Sequence, residues 1–436
     1  MTAMNDSAEL TQVGPGTVMG NFMRQYWIPA LGSSEIEADG PPRRLMLLGE
    51  KLIAFRDTQG RVGVMDHRCP HRCASLFLGR NEQDGLRCVY HGWKFDVDGN
   101  CVDMPSVPLH QDFKEKVKAK VYKTAERNGL LWVYMGDRDQ PPPLPMIEVA
   151  QLPETKLSIT FIQRDCNWLQ ALEGDVDTSH FGFLHVGSLD PDEVPDGHPL
   201  QYTASERAPE FHVKDTPWGV SYGAHRIVAP GTKYWRFANY MFPFWTQIPQ
   251  GEFPLNVHAR AWVPLDDEHT MYVFLRWQND MPGSNAPLKN GEALSGSKPV
   301  QYLPVSTDWL GRWRLKANRA NDWQIDRQAQ QSSHSFTGIE GIHVQDQAVT
   351  ESMGPVTTHD FEHLGPGDQM IARTRRRVLS AARAFRDTGK APPCVDNPEI
   401  YMASRSGYFL ADETTDWQAA YEDQVAKAVR PAALES

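Results

Sequence analysis

The sequence predicts an α+β chain in which an all-β module precedes a larger domain of mixed helices and strands. Three observations carry this. From Arg44 to about Tyr134 the segments RRLMLLG, KLIAFRD, RVGVMD and LLWVYMG are short, β-branched or aromatic, and separated by turn signals such as TQG, VDGN and RNG. The run DRDQPPPLP at 137–145 then favours an extended, semi-rigid connection. Beyond it, helical stretches and strands do not alternate regularly, which argues against a doubly wound sheet.

Residues 8–26 read as a short helix and turn, giving an N-terminal helical segment (1–25), a β module (26–139) and a mixed domain (140–436). In the mixed domain NWLQALEGDVDTSHFGFLH and TRRRVLSAARAFRDTG read as helices. HARAWVPL, TMYVFLRW and YWRFANYMFPFW read as strands, and SNAPLKNGEALSGSKP (284–299) as a mobile surface loop. A formal net charge of -11 excludes a basic nucleic-acid footprint. MTAMNDSAELTQVGPG contains Asp6 and Glu9 without an apolar core, unlike a signal peptide, and no run approaches the ~18 apolar residues of a membrane span. The cytoplasm is the expected location. There, six cysteines in so long a chain remain thiols or bind metal.

Metal chemistry is announced by CPHRCASLFLGRNEQDGLRCVYH, residues 69–91. A zinc finger usually draws two cysteines from one loop and its other ligands from a second. Here each loop offers one thiol and one imidazole: Cys69 with His71, then Cys88 with His91. Opposed loops of this kind place both thiolates on one iron and both imidazoles on the other, as in a Rieske two-iron, two-sulfide centre. Gly92 fits a tight turn, and Trp93 and Phe95 are placed to shield the sulfurs. Cys73, Cys101, Cys166 and Cys394 read as small core residues or inert thiols.

A second cluster lies in residues 167–185, with Glu173, Asp175, Asp177, His180 and His185. Positions five apart in a regular helix diverge by about 140°, so the two histidines meet only across a π-bulge or broken turn. Two imidazoles and one distant carboxylate would then form a facial triad that holds iron(II) with open positions for dioxygen. Glu340, Asp346 and Glu351 are all candidates for that carboxylate. Asp177, three residues before His180, is placed to accept the proton on the ring nitrogen that faces away from iron.

With both motifs in view, the chain resembles the Rieske non-haem iron aromatic-ring oxygenases, above all the phthalate dioxygenase group. VGPGTVMGNFMRQYWIPAL, CVYHGWKFDVDGNCVDMPS, NWLQALEGDVDTSH and IHVQDQAVTESMGP carry the resemblance over nearly the whole chain. It implies a Rieske domain followed by a helix-grip catalytic domain, one 2Fe-2S cluster and one mononuclear Fe(II) per chain, and Asp346 as the third iron ligand. It also implies that electrons pass from His91 of one subunit through Asp177 to His180 of the next, which requires a head-to-tail trimer or stacked trimers.

The implied reaction is cis-dihydroxylation of an aromatic carboxylate with O2, the electrons coming from NADH through a separate flavin and iron-sulfur reductase. GPGTVMG (14–20) has the wrong glycine spacing for a nicotinamide site. A carboxylate calls for arginine, whose planar fork matches it in two parallel hydrogen bonds. Arg236 shares a strand face with Tyr234, Ala238 and Tyr240; Arg207 is a second candidate, and Ser179 could add a hydroxyl. Two arginines suit a dicarboxylate such as phthalate or isophthalate. The closest rival reading is a monooxygenase, O-demethylase or dioxygenase acting on a phenoxy-, chloro- or methoxybenzoate. A Rieske electron carrier without catalysis is the other, and the length beyond the β module argues against it.

Overall fold

The computed structural model describes residues 2–278, 288–291, 298–332 and 335–431, and most of the loop expected at 284–299 lies outside the described residues. Two short helices, Thr2–Thr11 and Val18–Met23, open the chain. Thr17 caps the second, its Oγ1 accepting the Gly20 N–H at 3.1 Å. This helical segment is stapled to the larger domain, where Arg383 Nε meets Glu9 Oε2 at 2.6 Å.

The four β segments legible in the sequence all become strands of one antiparallel six-stranded sheet. Its order is Trp27–Gly32, Leu130–Tyr134, Val121–Arg127, Val62–Asp66, Glu50–Arg56 and Arg43–Leu47. The RNG signal forms its hairpin turn because Asn128 and Gly129 both accept positive φ, 58° and 75°. A smaller sheet of Arg80–Asn81, Leu86–Arg87, Lys94–Phe95 and Cys101–Asp103 carries the two Cys/His loops. Ile53, Met65, Leu76, Leu86 and Phe95 form a separate core beneath them.

The larger domain is built on an antiparallel eight-stranded sheet, ordered Leu157–Arg164, Thr270–Trp277, His258–Pro264, Trp245–Gln247, Thr232–Met241, Gly219–Ala229 and Glu210–Thr216. The short strand Trp245–Gln247 covers only Asn239–Met241, so Gly407–Asp412 pairs with the uncovered half of the strand, Thr232–Phe237. The strand Thr232–Met241 is buried on both faces. Trp235 and Phe237 pack against Phe253 and Tyr421, while Tyr234 and Arg236 face a cavity on the other side. Ala238 and Tyr240, expected beside them, lie in the main core instead.

The expected C-terminal helix spans Gln369–Thr388 and packs its Val378 and Ala382 face on the sheet. It stops at Gly389, whose φ of 65° lets its N–H reach Phe385 O at 2.8 Å. The helix expected over 167–185 is shorter, Trp168–Val176, for a reason that becomes apparent at its C terminus. Among the described residues no helix is long and apolar enough to cross a membrane.

One continuous core joins the β module to the larger domain, with Trp132 of the first stacked on Trp245 of the second at 6.0 Å. Both rings are fully buried. Trp132→Ala should therefore cost about 3–5 kcal/mol. Because the ring serves both domains, near- and far-UV circular dichroism should report one shared shift to lower denaturant.

Candidate functional site

The two Cys/His loops are built alike. In the first, the Cys73 N–H donates to Cys69 O at 2.9 Å; in the second, the Gly92 N–H donates to Cys88 O at 2.9 Å. Each turn needs a left-handed residue, Cys73 (φ 59°) and Gly92 (φ 78°). A Cβ on Gly92 would also meet Pro105 Cγ at 2.7 Å. The turns bury the Cys69 and Cys88 thiols and bring the His71 and His91 rings to 4.4 Å between centroids at the rim. Trp93 stacks on His71 at 4.3 Å.

Burial pushes the Cys69 thiol up to about 12, and neighbouring Cys88 adds to the shift. Without a positive charge beside it the Cys69 thiol stays protonated. His91 Nδ1 is buried with no hydrogen-bond partner. Two thiols inside, two imidazoles outside and an orphaned ring nitrogen fit an oblong two-iron cluster. Cys101, Cys166 and Cys394 are buried and Cys73 is exposed, all as free thiols.

At the second cluster the helix Trp168–Val176 ends, Asp177 turns the chain, and Phe181–His185 forms a π turn. Its wide loop, closed by the Val186 N–H on Phe181 O at 3.3 Å, is the distortion that the five-residue spacing requires. His180 Nε2 and His185 Nε2 stand 3.0 Å apart. Asp346, on the helix Ile342–Ser352, places Oδ1 3.1 Å from His185 Nε2 and 3.7 Å from His180 Nε2. The competing carboxylates are engaged elsewhere. Glu340 is exposed and paired with Lys298 at 2.6 Å, and Glu351 accepts from Trp323 Nε1 and the Asp165 N–H.

Sequence reasoning found Asp177 but missed Gln345 and Arg164, the other side chains that aim this cluster. Gln345 donates from Nε2 to Ile339 O at 2.8 Å, so its Oε1 must face His185 Nδ1 at 2.7 Å. That fixes the proton on Nδ1 and leaves the Nε2 lone pair toward His180 and Asp346. Asp177 takes the Ser179 N–H on Oδ1 at 2.7 Å and holds Oδ2 3.7 Å from His180 Nδ1. Buried Arg164 sits 4.0 Å from Asp346 Oδ2. Burial alone would raise the Asp346 carboxyl, but His185, His180 and Arg164 hold it well below the usual carboxylate range. The other acids of the motif are structural: Glu173 pairs with Arg375 at 2.5 Å, and Asp175 with Arg260.

A cavity of about 420 Å³ opens beside the triad, a size suited to a small ligand. Arg236 lines it, donating from Nε to Thr178 Oγ1 at 2.9 Å and lying 5.0 Å over the Phe181 ring. No carboxylate pairs with Arg236 among the described residues. The other two expected substrate contacts, Arg207 and Ser179, stand outside this cavity's lining. Arg207 lies on the outer side of the π turn, bonded to Gly187 O at 3.2 Å and placed over Phe183. Ser179 turns its hydroxyl toward Gly367. Neither lines the cavity, because the break after Val176 rotates Ser179 outward and the helix Pro199–Ser205 carries Arg207 past the turn.

Residues 26–114 match the description of a Rieske [2Fe-2S] domain, and 133–436 that of a LigXa C-terminal domain. The chain is 52% identical to the 3-chlorobenzoate-3,4-dioxygenase oxygenase subunit of Comamonas testosteroni, over 99% of this chain and 100% of the other. It is 37% identical to the phthalate 4,5-dioxygenase oxygenase subunit of Pseudomonas putida, over 96% and 94%. Its fold resembles that of Pseudomonas putida CBB5 NdmA (QL mutant with caffeine), with a TM-score of 0.55, 19% identity, and 91% and 99% of the two chains covered. The chain belongs to the Rieske oxygenases, as an oxidoreductase subunit with one 2Fe-2S cluster in its β module and one mononuclear iron in its α+β domain.

Proposed function

We propose that this chain is a terminal oxygenase component that cis-dihydroxylates an aromatic carboxylate with O2, a phthalate-type dicarboxylate (phthalate or isophthalate) being its substrate. Cys69, His71, Cys88 and His91 hold the cluster, and His180, His185 and Asp346 hold the iron. The observation that carries the reading is the convergence of His180 Nε2, His185 Nε2 and Asp346 Oδ1 within 3.7 Å, beside a cavity containing the carboxylate-free Arg236. Two imidazoles and one carboxylate leave ligand positions open, which suits dioxygen chemistry. When bound, the iron supplies dioxygen activation and the cluster supplies electrons singly.

The chain's own side chains do the rest. Arg236 clamps the substrate carboxylate and so orients the ring toward the triad. Phe181, Phe274 and Leu200 line the same cavity and exclude water from it. Gln345 and Asp177 hold the ring protons of the two histidines on the nitrogens that face away from the metal. Asp177 also bridges His180 to His91 of the partner subunit in a trimer or stacked trimers. A separate NADH-dependent flavin and iron-sulfur reductase feeds the cluster.

The 52% identity to a chlorobenzoate dioxygenase subunit favours a second reading, a substituted benzoate as substrate. Both readings need one carboxylate on Arg236. Turnover with labelled dioxygen and an aromatic-acid panel tests them: two labelled oxygens in a diol support dioxygenation, one labelled oxygen indicates monooxygenation or demethylation, and no product from any acid rejects both.

Loss of the charge-assisted pair in Arg236→Ala should raise KM for the preferred acid about ten-fold or more. Asp177→Asn should leave both metal contents unchanged, while the reduced cluster reoxidises far more slowly in stopped-flow with substrate and O2. Gln345→Leu should weaken iron(II) binding by about 10–100-fold, read as iron retained against a chelator, with the visible spectrum of the cluster unaltered.

A further inference from the structure

Arg276 is an arginine at the cavity that the reaction as described does not use. It lines the cavity half-buried, on the strand Thr270–Trp277, and neither donates a hydrogen bond nor forms an ion pair with any described residue. The other cavity cations are answered or already employed. Arg260 is paired with Asp175, Lys298 with Glu340, and Arg236 is bonded to the hydroxyls of Thr178 and Tyr234. The acids that line the cavity are Asp175, Asp177 and Asp346. The first neutralises Arg260 and the other two belong to the triad, so none faces Arg276.

Position supports a separate subsite. Tyr272, whose ring lies 5.5 Å from that of His343, marks the end of the strand nearest the triad. Arg276 is four residues further along, roughly 13 Å away at the usual rise per residue. Arg236 lies on Thr232–Met241, with the strands Trp245–Gln247 and His258–Pro264 between them in sheet order. That is on the order of 14 Å at the usual strand spacing. Burial first, then the cations Arg260, Arg276 and Arg405, pushes His258, the cross-strand neighbour of Arg276, well below the ordinary imidazole range.

We propose that Arg276 is a second anion subsite, at the end of the cavity remote from the triad, which selects aromatic substrates with two acidic groups on separated ring positions. The inference rests on the reading that Arg236 binds the first carboxylate. A guanidinium that is half-buried and unpartnered offers two parallel donors to a second carboxylate, and a chloro substituent cannot accept them. The discrimination arises from the donors left unpaired when the second acid is missing.

Anaerobic titration calorimetry on the cluster- and iron-containing protein, with benzene-1,3-dicarboxylate and 3-chlorobenzoate as probes, tests this without turnover. The expected result is that the diacid binds about ten-fold or more tightly than the chloro acid, and that Arg276→Gln brings the ratio of the two affinities toward one. A ratio near one in the unmodified protein, or a ratio that Arg276→Gln leaves intact, overturns the subsite while leaving the aromatic-acid reading standing. If neither acid binds the unmodified protein, both the subsite and the aromatic-acid reading are overturned.

Discussion

Three electron-rich atoms aimed at one point are the constraint on which the rest of the larger domain depends. His180 Nε2, His185 Nε2 and Asp346 Oδ1 lie 3.0–3.7 Å from one another. With the His185 proton fixed on the far side of its ring by Gln345, its Nε2 lone pair faces the Asp346 carboxylate, acceptor against acceptor. A buried acceptor without a donor costs about 1–3 kcal/mol, and a cation at the centre converts each of these penalties into a bond. Arg164, 4.0 Å from the outer oxygen of Asp346, compensates part of the charge from behind. The domain therefore orients its ligands from outside the triad, His185 by a hydrogen bond relayed through Gln345 from Ile339 and His180 by the Asp177 carboxylate 3.7 Å from its Nδ1.

The same constraint explains the broken helix. A regular continuation of Trp168–Val176 would send His180 and His185 to different faces. The chain stops the helix at Asp177, whose carboxylate takes the Ser179 N–H, and restarts as a π turn. Asp177 thus serves the local fold and His180 with one side chain. The break does not propagate, because the helix is anchored on both sides of its axis by the Glu173–Arg375 and Asp175–Arg260 pairs.

Much of this was legible in the sequence, and the boundary of legibility has a physical form. The strands of the β module could be read because local alternation and turn residues determine them. The two Cys/His loops and the His180/His185 pair could be read because each spacing is short enough for one turn to bring its members together, and the five-residue gap itself called for the distortion seen at Phe181–His185. Asp346 could not be separated from Glu340 and Glu351 by spacing, since what distinguishes it is that the other two spend their charge on Lys298, Trp323 and the Asp165 amide. The directions of Ser179 and Arg207 were illegible for a related reason. Proximity in sequence to His180 says nothing about direction once the helix has broken. Arg276, at the end of TMYVFLRW, carries no comparable local signal, and its place on the cavity wall is visible only in the folded domain.

The charge distribution ties the site to its ligand. The chain carries a formal charge of -11, which repels anions in general. Inside, the balance reverses. Asp175 neutralises Arg260, but Arg236 has only hydroxyl partners, and behind it Arg226 is buried with Nη1 and Nη2 unpartnered. Burial first, then Arg236, pushes the Arg226 guanidinium down to about 10. Two cations in a poorly solvated wall repel each other, and the Glu206 carboxylate relieves Arg226 only in part. An anion entering the cavity gains from that partly uncompensated field, which is far stronger there than at the solvated surface. On the proposed reading, affinity for aromatic acids follows from where the domain withholds counter-ions, and selectivity among those acids from how many such cations the ligand reaches.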